Sequence, residues 1–315
     1  MHKQLTDEER YTIATLLGQR KSLNYIAKYL GRHRSTISRE VARNSSNDGK
    51  YSASKAVSRT KSRRRESRQK WHLSDTELQM IISLIRLDWS PEQVSLWLAF
   101  NDILYVSTSM IYRYVWYDRF YHGDLYKHLR HSGKKRRKRY KSSDSRGVLP
   151  NKPRIEDRPK GAENRSQFGH WEIDTVFGGP DTHCLMTLVD RKARYTIIGK
   201  LKCKSVKELN KRTIGLIKQS ALPFKSITAD NGTEFHGYKE IEEKTGVSFY
   251  FANPYHSWER GTNENTNGLI RQYLPKGKSM KDLTQKQCNQ IARKLNQRPR
   301  KCLNIKTPEQ AYGIC

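Results

Sequence analysis

The fold class can be inferred from residues 170–201, which read HWEIDTVFGGPDTHCLMTLVDRKARYTIIGKL. Apolar and polar positions alternate over 170–177, and two further apolar runs follow at 183–189 and 195–201. Short turns that contain Gly, Pro or Asp separate the three runs. This part of the chain therefore predicts an antiparallel meander of three strands.

Helices and strands alternate after the meander. The apolar spacing predicts helices over 205–220, 238–244, about 258–273 and about 284–297, and strands over 226–229 and 247–252. A meander followed by this alternation favours an α/β domain in which helices flank a mixed five-stranded sheet.

The composition narrows the class of partner. The chain has 315 residues, too many for one ordinary domain, and 61 Lys+Arg against 31 Asp+Glu give it a net charge of +30. No apolar run reaches the length of a membrane span, and the five cysteines lack the spacing of a zinc site or a disulfide scaffold. We expect a protein of a reducing compartment, with no membrane partner, that binds a polyanion such as nucleic acid.

The N-terminal residues predict a three-helix DNA-binding unit. Helical patterns cover 7–20, 22–30 and 34–44, and Gly31 provides the tight turn before the third helix. The exposed face of that helix carries residue types suited to base edges and phosphates, namely Arg34, Ser35, Thr36, Ser38 and Arg39. The alternative is a small helical bundle without a DNA role, which the basic surface disfavours.

A second unit repeats this helical rhythm. Capping signals at Ser74, Ser90 and Ser107 each precede a helical pattern, although the connection over 101–106 is longer than a tight turn. Its candidates for DNA contact are Thr108, Ser109 and Arg113.

Two basic segments without apolar periodicity are interpreted as linkers. They are either solvated tethers or arms that track DNA phosphates. The predicted organisation is therefore a first helix-turn-helix unit at 1–46, a basic linker at 47–72, a second unit at 73–120, a basic, Pro-containing linker at 121–166 and a catalytic domain at 167–315.

Three acids are the candidates for chemistry. Asp174 lies inside a strand otherwise suited to burial, Asp230 follows a strand, and Glu264 lies on a predicted helix two turns before Arg271. Carboxylates that converge would repel one another unless divalent cations lie between them. Oxygen ligands select Mg²⁺ or Mn²⁺, and two such ions can activate a nucleophile and stabilise the leaving oxygen in phosphoryl transfer.

Spacing alone does not exclude other acids near these three. The competitors are Glu172, Asp190, Glu234 and Glu259. His170 and His256 have no metal-ligand spacing partner, so we interpret both as packing or DNA-contact residues.

Four stretches of the chain resemble one known family. They are residues 5–44, the segment GHWEIDTVFG, the motif TADNGTEF and the segment NPYHSWERGTNENTNGLIRQYLPKG. Together they are similar to the IS-thirty family of bacterial insertion-sequence transposases, over almost the whole chain.

The resemblance implies a ribonuclease-H-like, retroviral-integrase-like catalytic domain and a DDE triad. The triad falls on Asp174, Asp230 and Glu264, and the family's downstream basic residue falls on Arg271. Lys276 and Lys278 follow Arg271 and are further candidates for binding DNA phosphates.

The implied activity is DNA transposition. The helix-turn-helix units would bind the element's terminal inverted repeats, and two Mg²⁺ or Mn²⁺ ions on the triad would support DNA cleavage and transfer into target DNA. The implied partner is double-stranded DNA, the implied assembly a homodimer or a larger synaptic complex, and the implied location the bacterial cytoplasm, in association with the nucleoid.

Two rival functions use part of the same pattern. A DNA-binding regulator with an inactive catalytic half is disfavoured because all three acids are present. A ribonuclease-H-like nuclease acting on RNA–DNA hybrids explains the fold but not the two helix-turn-helix units.

Overall fold

The structure, a computed structural model, describes residues 4–46, 48–67, 73–131, 152–179, 181–254 and 256–314. The chain divides into two compact units, Met1–Ser74 and Asp75–Cys315. Among the helices of the described residues, none combines the length and the apolarity that crossing a bilayer requires.

The first unit contains the predicted three helices and a fourth. The helices are α1 (Asp7–Gly18), α2 (Leu23–Tyr29), α3 (Arg34–Asn44) and α4 (Ala53–Ser67). Ser22 caps α2 through the backbone N–H of Tyr25, and Gly31 adopts a φ of +60° between α2 and α3. Buried Ile13, Ile26 and Ile37 form the centre of its core.

Helix α4 lies in the segment that the sequence analysis assigned to a linker. Ala53 and Ala56 are buried, and Arg59 donates hydrogen bonds of 2.9 Å to the carbonyl oxygens of Asn44 and Ser45 at the end of α3. The interface thus consists of small side chains and arginines that satisfy the last carbonyls of a neighbouring helix. Apolar periodicity cannot detect such an interface, so the segment was expected to lack regular structure. The second basic segment lies outside the described residues over 132–151.

The second unit begins with three more helices, α5 (Asp75–Arg86), α6 (Pro91–Phe100) and α7 (Thr108–Phe120). Their small core comprises Ile81, Ile85, Val94, Leu98, Ile111 and Val115, all fully or almost fully buried. After α5, Asp88 accepts hydrogen bonds from the hydroxyl of Tyr273 at 3.0 Å and from the ammonium of Lys294 at 3.2 Å. These contacts hold the α5–α7 bundle against the domain that follows.

That domain is built on a mixed five-stranded sheet. Its strands are β1 (His170–Phe177), β2 (Cys184–Asp190), β3 (Thr196–Leu201), β4 (Ser226–Ala229) and β5 (Ser248–Phe251), in the order β3-β2-β1-β4-β5. The first three are antiparallel, whereas β4 is parallel to both β1 and β5. The predicted architecture is confirmed: a helical N-terminal region is followed by an α/β domain with a mixed five-stranded sheet.

Helices cover both faces of this sheet. They are α8 (Lys160–Glu163), α9 (Val206–Gln219), α10 (Tyr238–Thr245), α11 (Gly261–Tyr273), α12 (Gln285–Asn296) and α13 (Pro308–Tyr312). One core joins β1, β4 and β5 to Leu209 of α9 and Ile241 of α10. The other joins Val176 of β1 to Ile270 of α11 and Leu295 of α12. Helix α11, which carries Glu264, thus packs against the strand that carries Asp174.

Candidate active site

Two of the three predicted acids lie side by side on adjacent parallel strands. Glu172 of β1 pairs with Thr228 of β4, so continuing the register by two residues brings Asp174 level with Asp230. Asp174 lies inside β1, and Asp230 is the first residue after β4.

A guanidinium joins these two carboxylates. One terminal nitrogen of Arg260, Nη2, lies 3.0 Å from Oδ2 of Asp174, and the other, Nη1, lies 3.0 Å from Oδ2 of Asp230. Arg260 is only 8% exposed. The sequence analysis did not identify this residue as part of the site.

The charges in this cluster influence one another. Burial raises the pKa of Asp174 above its usual range; Arg260 opposes this effect, and the nearby carboxylate of Asp230 adds to it. Burial also tends to lower the pKa of Arg260, but the two aspartates outweigh it and raise that pKa above its ordinary value. The guanidinium therefore stays charged and compensates one of the two carboxylates.

Hydrogen bonds orient both aspartates. Oδ2 of Asp174 accepts from the side-chain amide of Asn267 at 2.9 Å, and its Oδ1 accepts from the backbone N–H of Thr175 at 2.8 Å. Oδ1 of Asp230 accepts from the backbone N–H of Gly232 at 2.9 Å. Asn267 is a second site residue that the sequence analysis missed.

Glu264 belongs to a stripe of residues along α11. Glu264, Asn267 and Arg271 are spaced by three and four positions, which places them on one face of the helix, and Arg260 ends the short 3₁₀ turn that precedes it. Arg260 and Asn267 both contact Asp174, and exposed Glu264 lies between them in the sequence. Glu264 therefore shares the helical face of Asn267, the residue of α11 that contacts Asp174.

The three acids do not form a closed metal site in this structure. Among the described residues, no group of three His, Cys, Asp or Glu side chains is placed to hold a metal ion. However, Asp174 and Asp230 already surround a positive charge, and carboxylate oxygens are the ligands that Mg²⁺ and Mn²⁺ prefer. This pair therefore fits a divalent cation, whereas the participation of Glu264 stays a prediction.

The competing acid Glu172 has a structural role. Its side chain is fully buried and forms an ion pair with Arg191. Its Oε2 accepts a hydrogen bond of 2.9 Å from the backbone N–H of Asn263 in the first turn of α11. Glu172 thus fastens the start of α11 to the sheet.

The other competitors are also engaged. Asp190 accepts from the backbone N–H of Gly169 at 2.9 Å and from the hydroxyl of Tyr312 at 2.8 Å. Glu259 accepts from the backbone N–H of Asn253 at 2.9 Å. Glu234, which is 3% exposed, accepts from the hydroxyl of Thr175 at 2.8 Å and pairs with Lys204 at 3.0 Å. Because Thr175 follows Asp174, Glu234 is the competitor that lies beside the aspartate pair.

The two histidines contact protein groups. His170 is buried, with Nδ1 2.7 Å from the hydroxyl of Ser226. His256 lies 3.0 Å from Glu259 and stacks on Trp258. These contacts agree with packing, one of the two roles expected for both histidines; a role in DNA contact stays a prediction.

The candidates for DNA contact lie on helix surfaces and on one loop. On α3, Arg34, Ser38 and Arg39 are exposed, whereas Ser35 and Thr36 are half-buried. On α7, Ser109 and Arg113 are exposed and Thr108 is half-buried. Lys276 and Lys278 are exposed after α11, and half-buried Arg271 donates to the carbonyl oxygen of Leu274 at 3.4 Å. Their roles in DNA binding stay predictions.

Comparisons with known proteins agree with this architecture. Residues 1–44 match the family described as a helix-turn-helix domain. The chain is 39% identical to the transposase for insertion sequence element IS4351 of Bacteroides fragilis, over 99% of this chain and 96% of that protein. It is 38% identical to the transposase InsI for insertion sequence element IS30A of Escherichia coli (strain K12), over 97% of this chain and 82% of that protein.

A solved structure also matches part of the chain. The catalytic core domain of BIV integrase aligns with a TM-score of 0.36 and 14% identity, over 46% of this chain and 93% of that one.

A helix-turn-helix unit ahead of an α/β domain with paired aspartates is the arrangement of an enzyme that acts on DNA. The chain belongs to the IS30 family of insertion-sequence transposases, as the sequence motifs indicated. It is therefore a DNA-binding polynucleotidyl transferase of a transposable element, and its family implies dependence on a divalent metal.

Proposed function

We propose that this chain is a DDE transposase that binds the terminal inverted repeats of its own insertion sequence and catalyses metal-dependent DNA cleavage and strand transfer. The observation that carries the proposal is the meeting of two features. Arg260 joins the carboxylates of Asp174 and Asp230, and Asn267, which contacts Asp174, shares its face of α11 with Glu264.

In this proposal Asp174, Asp230 and Glu264 hold two Mg²⁺ or Mn²⁺ ions. Such ions, when bound, lower the pKa of water and stabilise negative charge at a phosphate, so that no protein general base is needed. The chain contributes orientation: Asn267 holds the carboxylate of Asp174, and the backbone N–H of Gly232 holds that of Asp230. A bound cation would compete with Arg260 for these carboxylates, because both are positively charged.

The basic residues of the stripe and of the following loop would position the DNA. Arg271, Lys276 and Lys278 would hold phosphates beside the acids, while α3 and α7 read the repeat ends. Joining two element ends requires two sets of these surfaces, so we propose a homodimer or a larger synaptic assembly. Its substrate would be the nucleoid DNA of the bacterial cytoplasm.

Substitution of one acid tests the catalytic assignment. Asp230→Asn should abolish metal-dependent cleavage of element-end DNA and leave repeat binding intact, because the amide keeps the shape of the side chain but loses its charge. Asp282→Asn, at an exposed aspartate after α11, is the matched control and should keep both activities. Cleavage by Asp230→Asn at the wild-type rate would refute the triad.

Substitutions on α3 test repeat recognition. Arg34→Ala and Arg39→Ala should weaken binding to the element's ends more than binding to random DNA. Lys28→Ala, at an exposed position of α2, serves as the charge-matched control. Equal losses on both kinds of DNA would show that the two arginines contact phosphates only. A footprint on the element's termini would locate the sequence that is read.

A further inference from the structure

A positively charged cavity lies on a different side of α11 from the acids. It has a volume of about 210 Å³ and is lined by Thr262, Asn265 and Thr266 of α11 together with Arg165, Arg194 and Arg300. Positions 262, 265 and 266 share one face of the helix, and that face is distinct from the stripe that carries Glu264. A single helix therefore separates a cluster of acids from a cluster of arginines.

An adjoining cavity of about 370 Å³ shares Asn265 and Arg300 with the first and adds Arg298. We refer to Arg165, Arg194, Arg298 and Arg300, with the polar side chains of Thr262 and Asn265, as the arginine pocket.

No carboxylate of the described residues forms an ion pair with any of these four arginines. The two acids that line the adjoining cavity are already paired, Asp88 with Lys294 and Glu92 with Lys301. The pocket therefore has an excess of positive charge that the described part of the protein does not neutralise.

Two of the arginines also have unsatisfied donors. Arg298 is 2% exposed, and its Nε, like the Nε of Arg300, is buried without a hydrogen-bond partner. Arg300 otherwise donates to the carbonyl oxygen of Leu295 at 3.0 Å, and Arg194 donates to the hydroxyl of Thr262 at 2.5 Å. Because a buried charged donor without an acceptor is costly, these groups point to an anionic acceptor from outside the chain.

The arginines destabilise one another's charged forms. Burial and the charges of Arg298, Arg194 and Arg130 together lower the pKa of Arg300 to about 10, against an opposing effect of Cys302. Burial also lowers the pKa of Arg165, with added repulsion from Arg194. An anion in the pocket would relieve this repulsion, and the planar fork of a guanidinium matches the oxygens of a phosphate.

We propose that the arginine pocket binds a phosphate group of the DNA backbone and thereby fixes a DNA strand relative to α11. The ligand class follows from the four guanidinium groups, the hydroxyl of Thr262 and the amide of Asn265, which together suit a compact oxyanion. The choice of DNA over free phosphate rests on the proposed function, in which the acids at the opposite face of the same helix support cleavage of a DNA strand.

Inorganic phosphate alone tests the pocket. At matched ionic strength, phosphate should raise the Tm of the wild-type chain above its value in chloride. Arg165→Gln and Arg194→Gln should reduce the phosphate affinity derived from this shift by about tenfold each, the effect of losing one charge-assisted hydrogen bond. Both residues are at least partly exposed, so the variants should fold. Arg293→Gln, at an exposed arginine of α12, should keep the wild-type shift.

The salt dependence of duplex binding distinguishes DNA from free phosphate. The slope of log K against log salt should fall by about 0.9 for each phosphate contact that a variant loses. A lost phosphate shift together with an unchanged slope would show that the pocket takes a free anion, which overturns the DNA assignment. If phosphate does not raise the Tm of the wild-type chain, the proposal that the arginine pocket binds a phosphate group is refuted. A wild-type chain that ignores repeat sequences would refute the proposed function alone, because the slope can be measured on random duplex.

Discussion

Replacing Arg260 with glutamine removes the guanidinium that contacts both Asp174 and Asp230. Loss of one partner from a buried ion pair costs about 3–5 kcal/mol. The two aspartate side chains keep 23% and 31% of their surface exposed, so water screens part of their repulsion. We therefore expect Arg260→Gln to lower the free energy of unfolding by about 3 kcal/mol in metal-free buffer, the lower end of that range.

The same substitution should strengthen cation binding. A unit positive charge about 5 Å from a divalent ion repels it by about 1.7 kcal/mol in bulk water and by about 7 kcal/mol at an effective dielectric constant of 20. The smaller figure alone corresponds to an increase in affinity of more than about tenfold. The variant, whose two carboxylates lack a counter-charge, should therefore bind Mg²⁺ or Mn²⁺ at least about tenfold more tightly than the wild type.

Urea unfolding at increasing Mn²⁺ concentration measures both effects. The variant should unfold at a lower urea midpoint without metal and should gain more from Mn²⁺ than the wild type does. Arg191→Gln, which breaks the buried pair with Glu172, is the control and should be destabilised without a larger response to Mn²⁺. An equal Mn²⁺-induced shift in the wild type and in Arg260→Gln would refute the competition between the guanidinium and a metal ion.

Three further outcomes follow from other contacts. Asp88→Asn should lower the free energy of unfolding, measured in urea at pH 7, by about 1–3 kcal/mol. Hydrogen bonds from His128, Lys294 and Tyr273 outweigh burial and lower the folded-state pKa of this aspartate. Its contribution to stability is therefore present above the unfolded-state pKa and is lost as the pH falls through the folded-state pKa, so variant and wild type should converge in acid. Gly232→Ala would place a methyl group against Oε2 of Glu234 and 2.9 Å from Oδ1 of Asp230. Cleavage of element-end DNA should therefore fall at least about tenfold while circular dichroism shows a native fold, and wild-type cleavage would contradict this geometry. Burial raises the pKa of Cys288 to about 11, whereas Cys302 is exposed, so iodoacetamide at pH 8 should label Cys302 before Cys288 in peptide mass spectra of the native protein, and equal labelling of the two would contradict the packing.

Local signals made most of the fold predictable. Ser22 caps α2 and Gly31 adopts its positive φ through interactions that span only a few residues, so the sequence itself encodes these boundaries. The strand predicted over 170–177 coincides with β1, although its burial does not alternate, because helices cover both faces of the sheet. By contrast, α4 depends on arginines that reach the end of α3, and such a contact between distant segments leaves no periodic pattern.

The candidate site was only partly predictable for the same reason. Glu172 and Asp174 share one face of β1 by the period of the strand, so spacing could not separate them. The structure separates them because Glu172 meets Arg191 and the start of α11, whereas Asp174 meets Arg260 and Asp230. One signal for Arg260 was present in the sequence: it precedes Glu264 by four residues, the spacing of neighbours on a helix, although α11 itself begins one residue later, at Gly261.

Almost every side of the thirteen-residue helix α11 has a role. One side carries the stripe, another lies on the sheet through Ile270, and a third lines the arginine pocket. Inserting or deleting a single residue within it would turn everything downstream by about 100° and exchange these surfaces. Length changes in this helix should therefore be far more damaging than most single substitutions, and engineering of the enzyme by loop grafting should keep the count from Gly261 to Tyr273 unchanged.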